Sequence, residues 1–108
     1  MLPLAPQHLA LLETLVQEGF AMMSFTLYPN CVGVRKGNCA ALLSPREGGG
    51  MRVVGAPGFL IDGQLSVRVT RLGQEFYVWK KKELPATPGR MAEVEEFRKE
   101  LLSLLGPG

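Results

Sequence analysis

Two short dipeptides constrain this chain more than any other feature in it. Asp62-Gly63 stands between Ile61 and Gln64, and Leu72-Gly73 stands between Arg71 and Gln74. A two-residue connection between strands needs positive φ at its centre, a conformation that glycine adopts without cost. Both dipeptides are therefore read as hairpin turns, and together they predict a three-stranded antiparallel meander. The turns also fix register, so Leu60 faces Leu65, Val67 faces Val78 and Val69 faces Phe76. Those residues form one apolar face, expected to be the core side. The other face then carries Phe59, Ser66 and Trp79 in one row, Arg68 and Tyr77 in the next, and Thr70 with Glu75 beyond.

Upstream of the meander the apolar period is also two. Met23, Phe25 and Leu27 alternate with Ser24, Thr26 and Tyr28 as a strand, and Pro29-Asn30 supplies a turn. Cys31 to Lys36 and Cys39 to Leu43 read as a hairpin around Lys36-Gly37-Asn38, its register open by one residue. Ser44 to Gly50 is a loop whose three glycines predict mobility. Met51 to Val54 and Phe59 to Ile61 are strand segments interrupted by Gly55-Ala56-Pro57-Gly58, because proline cannot donate to a ladder and glycine weakens one.

Helical signals lie at the two ends. Pro6 suits a first helical position, Leu9, Leu12 and Val16 recur at helical spacing beside Leu11 and Leu15, and Gly19 is placed to stop a helix over 6–18. Thr87 is a good N-cap and Pro88 a good first residue for a closing helix that runs to about Leu105. Its apolar stripe is Met91, Val94, Phe97, Leu101 and Leu104. The expectation is one α+β domain over 1–108. It comprises an N-terminal helix, a six- to seven-stranded mainly antiparallel meander sheet able to curl into a partial barrel, and a C-terminal helix. With 46% hydrophobic and 20% charged residues, the 108-residue chain has enough apolar material for one core.

Several chemistries find no support. His8 is the single histidine, and no serine occupies a G-x-S-x-G elbow, so no catalytic triad can be assembled. His8 reads as an exposed side chain without a special role. His8, Cys31 and Cys39 fall one ligand short of a structural zinc site, and Gly48-Gly49-Gly50 lacks the Lys-Ser/Thr and helix of a phosphate loop. The expectation is therefore no enzyme, no metal and no cofactor. Two cysteines are too few for a disulfide scaffold, and the N-terminal segment has no basic region before its apolar run. No stretch matches a membrane span, which points to a cytoplasmic protein.

Charge distribution is the remaining signal. The formal net charge of +2 conceals a basic middle, where residues 35–82 hold nine basic and three acidic side chains. The aromatic residues of the meander lie in this same segment. Phe59, Arg68, Tyr77, Trp79, Lys80, Lys81 and Lys82 thus form a candidate interaction face. An apolar patch of this kind is seldom left bare in water. It can be covered by a helix of the chain, serve as an interface for a protein partner or second copy, or bind a single-stranded nucleic acid by stacking and phosphate neutralisation. The leading expectation is a non-enzymatic protein-interaction module, homodimeric or with another protein, and the alternative is a nucleic-acid-binding domain.

Overall fold

A computed structural model of the chain describes residues 4–25 and 27–106. Helix α1 (Pro6–Gln17) is followed by eight strands, β1 (Ala21–Met23), β2 (Val32–Lys36), β3 (Cys39–Pro45), β4 (Met51–Ile61), β5 (Gln64–Leu65), β6 (Val67–Arg71), β7 (Gln74–Trp79) and β8 (Lys82–Pro85), and by helix α2 (Pro88–Leu105). The fold is α+β and every strand pairing is antiparallel. Strands β1 to β5 form a curled five-stranded sheet, and β6 to β8 form a three-stranded one.

The meander turns have the expected backbone. Asp62 and Gly63 sit at φ 53° and 73°, and Leu72 and Gly73 at 50° and 78°. The register holds within each hairpin: Leu60 pairs with Leu65, Val67 with Val78, Arg68 with Tyr77 and Val69 with Phe76. The middle strand of the expected meander breaks at Ser66, so the two hairpins fall in different sheets, and of the expected apolar face only Leu60 and Leu65 enter a core cluster. The hairpin of β2 and β3 resolves to Lys36 opposite Cys39, which leaves Cys31 and Cys39 far out of line as two free thiols. The expected interruption of β4 is a bulge, with Leu42 opposite Val54 but Ala40 opposite Gly58. Extra residues on one strand bend it, and here they let β4 run along β3 at both ends.

β3 is buried on both faces from Cys39 to Leu43. On one side Cys39, Ala41 and Leu43 join Leu12 and Leu15 of α1, Phe97 and Leu101 of α2, and Phe59 and Tyr77 in the main core. On the other side Ala40 and Leu42 meet Phe25 and Leu65 in a smaller cluster. The chain around Phe25 acts as a plug rather than as the expected strand over 23–28. The amide of Tyr28 donates to the Phe25 carbonyl at 2.9 Å, closing a turn. The Phe25 ring lies where a β-carbon on Gly33 would stand, 2.7 Å from that position, so only glycine admits the plug. Thr26, part of that expected strand, lies outside the described residues, as do positions 107–108 of the expected helix stop.

The helices show one agreement and one correction. Thr87 caps α2 by accepting from the Arg90 amide at 3.2 Å, and the predicted stripe faces the core. In α1 the buried positions are His8, Leu12 and Leu15, whereas Leu9 and Val16 face solvent. The expected stripe was centred one residue off because His8 is polar. Its burial is compensated by hydrogen bonds: Nδ1 accepts from the Ala5 amide and Nε2 donates to the Arg46 carbonyl, each at 2.9 Å. The first bond is half of a capping box, with imidazole replacing the usual Glu or Gln. The second ties α1 to the Arg46–Gly50 loop. That glycine-rich loop is closed on itself by an Arg46 to Gly50 hydrogen bond of 2.7 Å.

Candidate functional site

Strands β6 to β8 present two faces, and the chain covers only one. Tyr77 is 1% exposed, stacked on Phe59 with ring centroids 5.7 Å apart. Both rings lie in the main core, where α2 packs back across the sheet after Pro88. Burial pushes the Tyr77 hydroxyl above its ordinary pKa, while the neighbouring Arg68 guanidinium pulls it down. The aromatic face read as a candidate surface is therefore largely interior at Phe59 and Tyr77. The reason is where the helices land: α1 and α2 both pack into the cluster on the Phe59–Tyr77 side.

The remaining candidate residues are dispersed. Arg68 stays exposed, its Nε 3.3 Å from Glu75 and its Nη1 3.8 Å from the Met91 sulfur on α2. Trp79 is half-buried, with the Lys80 ammonium 5.3 Å from its ring centroid. Lys80 and Lys81 make an exposed turn, and Lys82 pairs with Asp62 at 2.5 Å. Arg68 and Tyr77 adjoin on the helix side, while the three lysines sit at the far end of β7. The structure does not gather them into one continuous basic aromatic surface.

The opposite face corrects the expected core. Val67 is 57% exposed, and Val69, Phe76 and Val78 are only half-buried beside it. Arg71 of β6 and Glu83 of β8 share this face and form an ion pair that reaches across it. Leu72 at the β6–β7 turn is fully exposed. It also occupies a left-handed conformation that costs a non-glycine residue about 1–2 kcal/mol. Leucine is thus placed where both hydration and backbone geometry disfavour it. The signal was present in the sequence, since a tight mirror-image turn favours Asn, Asp or Gly at that position.

A cleft of about 530 Å³ opens where the two sheets part. Its walls come from the β4 bulge at Gly55–Pro57, from Ser66 to Arg68, and from Val94, Glu95 and Arg98 of α2. Gly58 makes the parting possible, because a β-carbon there would stand 2.6 Å from the Ser66 carbonyl oxygen. Ser66 holds the branch point, its hydroxyl donating to the Phe59 carbonyl at 2.6 Å. Arg98 grips Glu95 through two hydrogen bonds of 3.0 and 2.5 Å, which holds the Glu95 carboxyl below its ordinary pKa.

No protein-family model, curated protein or solved structure matches the chain.

A second buried group lies under α2. The Cys39 thiol is pushed up to about 12 by burial and by the Glu93 carboxylate, 4.0 Å away. A thiol of this kind is a poor nucleophile, because the thiolate is the reactive form. His8 has both ring nitrogens engaged in structural hydrogen bonds and is not placed to act as a base.

Proposed function

We propose that the chain is a non-enzymatic interaction module that self-associates through the outer face of β6, β7 and β8. The observation that carries the reading is Leu72, a fully exposed leucine in a left-handed turn conformation at the tip of the hairpin that carries Val67, Val69, Phe76 and Val78. A costly side chain kept at an exposed tip argues for a contact that uses it. The face carries one charge of each sign, Arg71 on β6 and Glu83 on β8, which pair with each other across it. Exchange of that pair between two copies is self-complementary across a two-fold axis, which favours a second copy as the partner.

Size sets the strength. Five-residue strands in a three-stranded sheet span on the order of 250 Å² in projection. That is well below the ~800 Å² per partner of a standard interface. The association is therefore a reversible, concentration-dependent one, extended by contacts at Leu72. The free edge of β6 faces the β4 bulge across the cleft, and on the opposite edge Pro85 in β8 discourages strand pairing.

Sedimentation across a dilution series tests the proposal. Wild-type chain should shift from monomer toward dimer as concentration rises, while Phe76→Lys and Leu72→Asn should each shift the equilibrium toward monomer. Wild type that stays monomeric at its solubility limit contradicts the reading.

The nucleic-acid alternative keeps the exposed Lys80 and Lys81. It loses Phe59 and Tyr77 as a stacking platform, since both rings are covered by the chain itself. An oligonucleotide titration at low and high salt separates the two readings, because phosphate contacts weaken steeply with salt. Free thiols at Cys31 and Cys39 suit a reducing compartment, which supports a cytoplasmic setting. Among the described residues no helix is long and apolar enough to cross a membrane.

A further inference from the structure

The cleft between the two sheets has the makings of a small-molecule site, and of the outer-face residues only Val67 enters its wall. Its volume of about 530 Å³ lies within the range of ligand pockets, and its walls are mainly aliphatic. Leu42, Val54, Pro57 and Leu65 supply the apolar part from the five-stranded sheet. The polar lining comprises Tyr28, Ser66, the Glu95–Arg98 pair and one cross-strand pair, Arg68 opposite Tyr77.

Hydrogen-bond accounting decides which ligand charge this pair favours. Arg68 has five N–H donors. Only Nε approaches a carboxylate, at 3.3 Å, and Nη1 reaches no better acceptor than a thioether sulfur. The guanidinium therefore has donors to spare. The Tyr77 side chain is almost wholly enclosed, yet its hydroxyl has no partner among the described residues. No fully buried side-chain nitrogen or oxygen among those residues lacks a partner. The Tyr77 hydroxyl thus retains contact with solvent, and Tyr77 itself lines the cleft. The carboxylate of Glu95 is already committed to Arg98 through both of its oxygens. Spare donors without a matching spare carboxylate in the wall favour an acceptor-rich, negatively charged head group.

We propose that this cleft binds a small amphipathic carboxylate, its head group on Arg68 and Tyr77 and its hydrocarbon part against Leu42, Val54, Pro57 and Leu65. The Arg68 guanidinium supplies the charge and the Tyr77 hydroxyl a second, directional donor. The aliphatic walls exclude water from the chain of the ligand and contribute affinity in proportion to the apolar area covered.

Octanoate, 1-octanol and octylammonium, each below its aggregation limit, test the site by calorimetry and by NMR shifts on the full chain. Octanoate should bind one per chain and at least about tenfold more tightly than the other two. Arg68→Gln should abolish that preference. Tyr77→Phe should weaken octanoate several-fold while leaving thermal stability close to wild type, because the lost hydroxyl has no partner among the described residues. Equal binding of octanoate and octanol would overturn the carboxylate assignment. Absence of saturable binding, or octanoate binding indifferent to both variants, would overturn the site. The outer-face variant Phe76→Lys should bind octanoate as wild type does, so failure of self-association leaves this test intact.

Discussion

The two faces of the three-stranded sheet differ in hydropathy and meet the fates opposite to those it suggests. One holds Arg68, Glu75, Tyr77 and Trp79, and its Tyr77 is among the most enclosed side chains of the molecule. The other holds Val67, Val69, Phe76 and Val78, a more uniformly aliphatic set, and stands half open to solvent. Hydropathy alone would assign them the other way round. Strand alternation decides which residues share a face, but the landing of α1 and α2 decides which face is inside. Tyrosine and arginine tolerate that inner position because each keeps a polar tip that reaches the rim, while the apolar body is buried.

The sharpest way to break this comparison is truncation on each side. Tyr77→Ala should cost about 3–5 kcal/mol in a denaturant titration, as expected for loss of a buried aromatic ring. Val67→Thr on the outer face should change stability by no more than about 0.5 kcal/mol. Equal costs would mean that both faces are core.

His8 offers a second contrast, between a polar residue that is buried and the exposed Leu9 beside it. His8→Ala strands the Ala5 amide and the Arg46 carbonyl, and should cost about 1–3 kcal/mol by thermal or chemical unfolding. Leu9→Ala should be nearly silent by the same measurement. At the tip of the outer face, Leu72→Asn should stabilise the monomer by up to about 1 kcal/mol, since asparagine tolerates the left-handed conformation better. The same change should weaken self-association. A gain in stability without a loss of association would remove Leu72 from the interface.

A pH dependence concerns the two thiols. Cys39 holds its proton to about pH 12 in the folded chain, against an ordinary value of 9.0. The raised value means that the folded state retains a proton the unfolded state has lost. Its contribution is complete below pH 9 and is lost progressively as pH rises toward 12. The decline in stability above pH 9 should therefore be shallower in Cys39→Ala. At pH 8 a thiol reagent should modify the half-buried Cys31 well before the buried Cys39.

Local signals were legible in proportion to how far they depend on neighbouring residues alone. Asp62-Gly63 and Leu72-Gly73 fixed two turns and a register that the structure reproduces pair by pair. Thr87-Pro88 marked the start of α2, and Gly55–Gly58 marked the bulge, because each acts through its own backbone. The tertiary choices were not legible in the same way. Phe25 reads as a strand residue by alternation, and becomes a plug only because Gly33 leaves room beneath it. His8 reads as surface, and is buried because two backbone groups distant in sequence satisfy its ring. Of the candidate surface, the lysine turn at Lys80 and Lys81 stays outside as expected, while Phe59 and Tyr77 are covered by α2. The cleft was invisible in the sequence because its walls come from β4, β6 and α2 together.

The central claim is that the Val67–Val78 face is open in the monomer and closed by a partner, while the Tyr77 face is core. Methyl NMR with a soluble nitroxide reads both sides in one sample. In dilute solution the methyls of Val67, Val69 and Val78 should be strongly broadened, and those of Leu43 and Leu101 should stay sharp. Raising the protein concentration should restore protection to these three valines and to Leu72, with Leu43 and Leu101 unchanged. Valine methyls that are protected at every dilution, or that stay broadened at the highest concentration, would contradict the account.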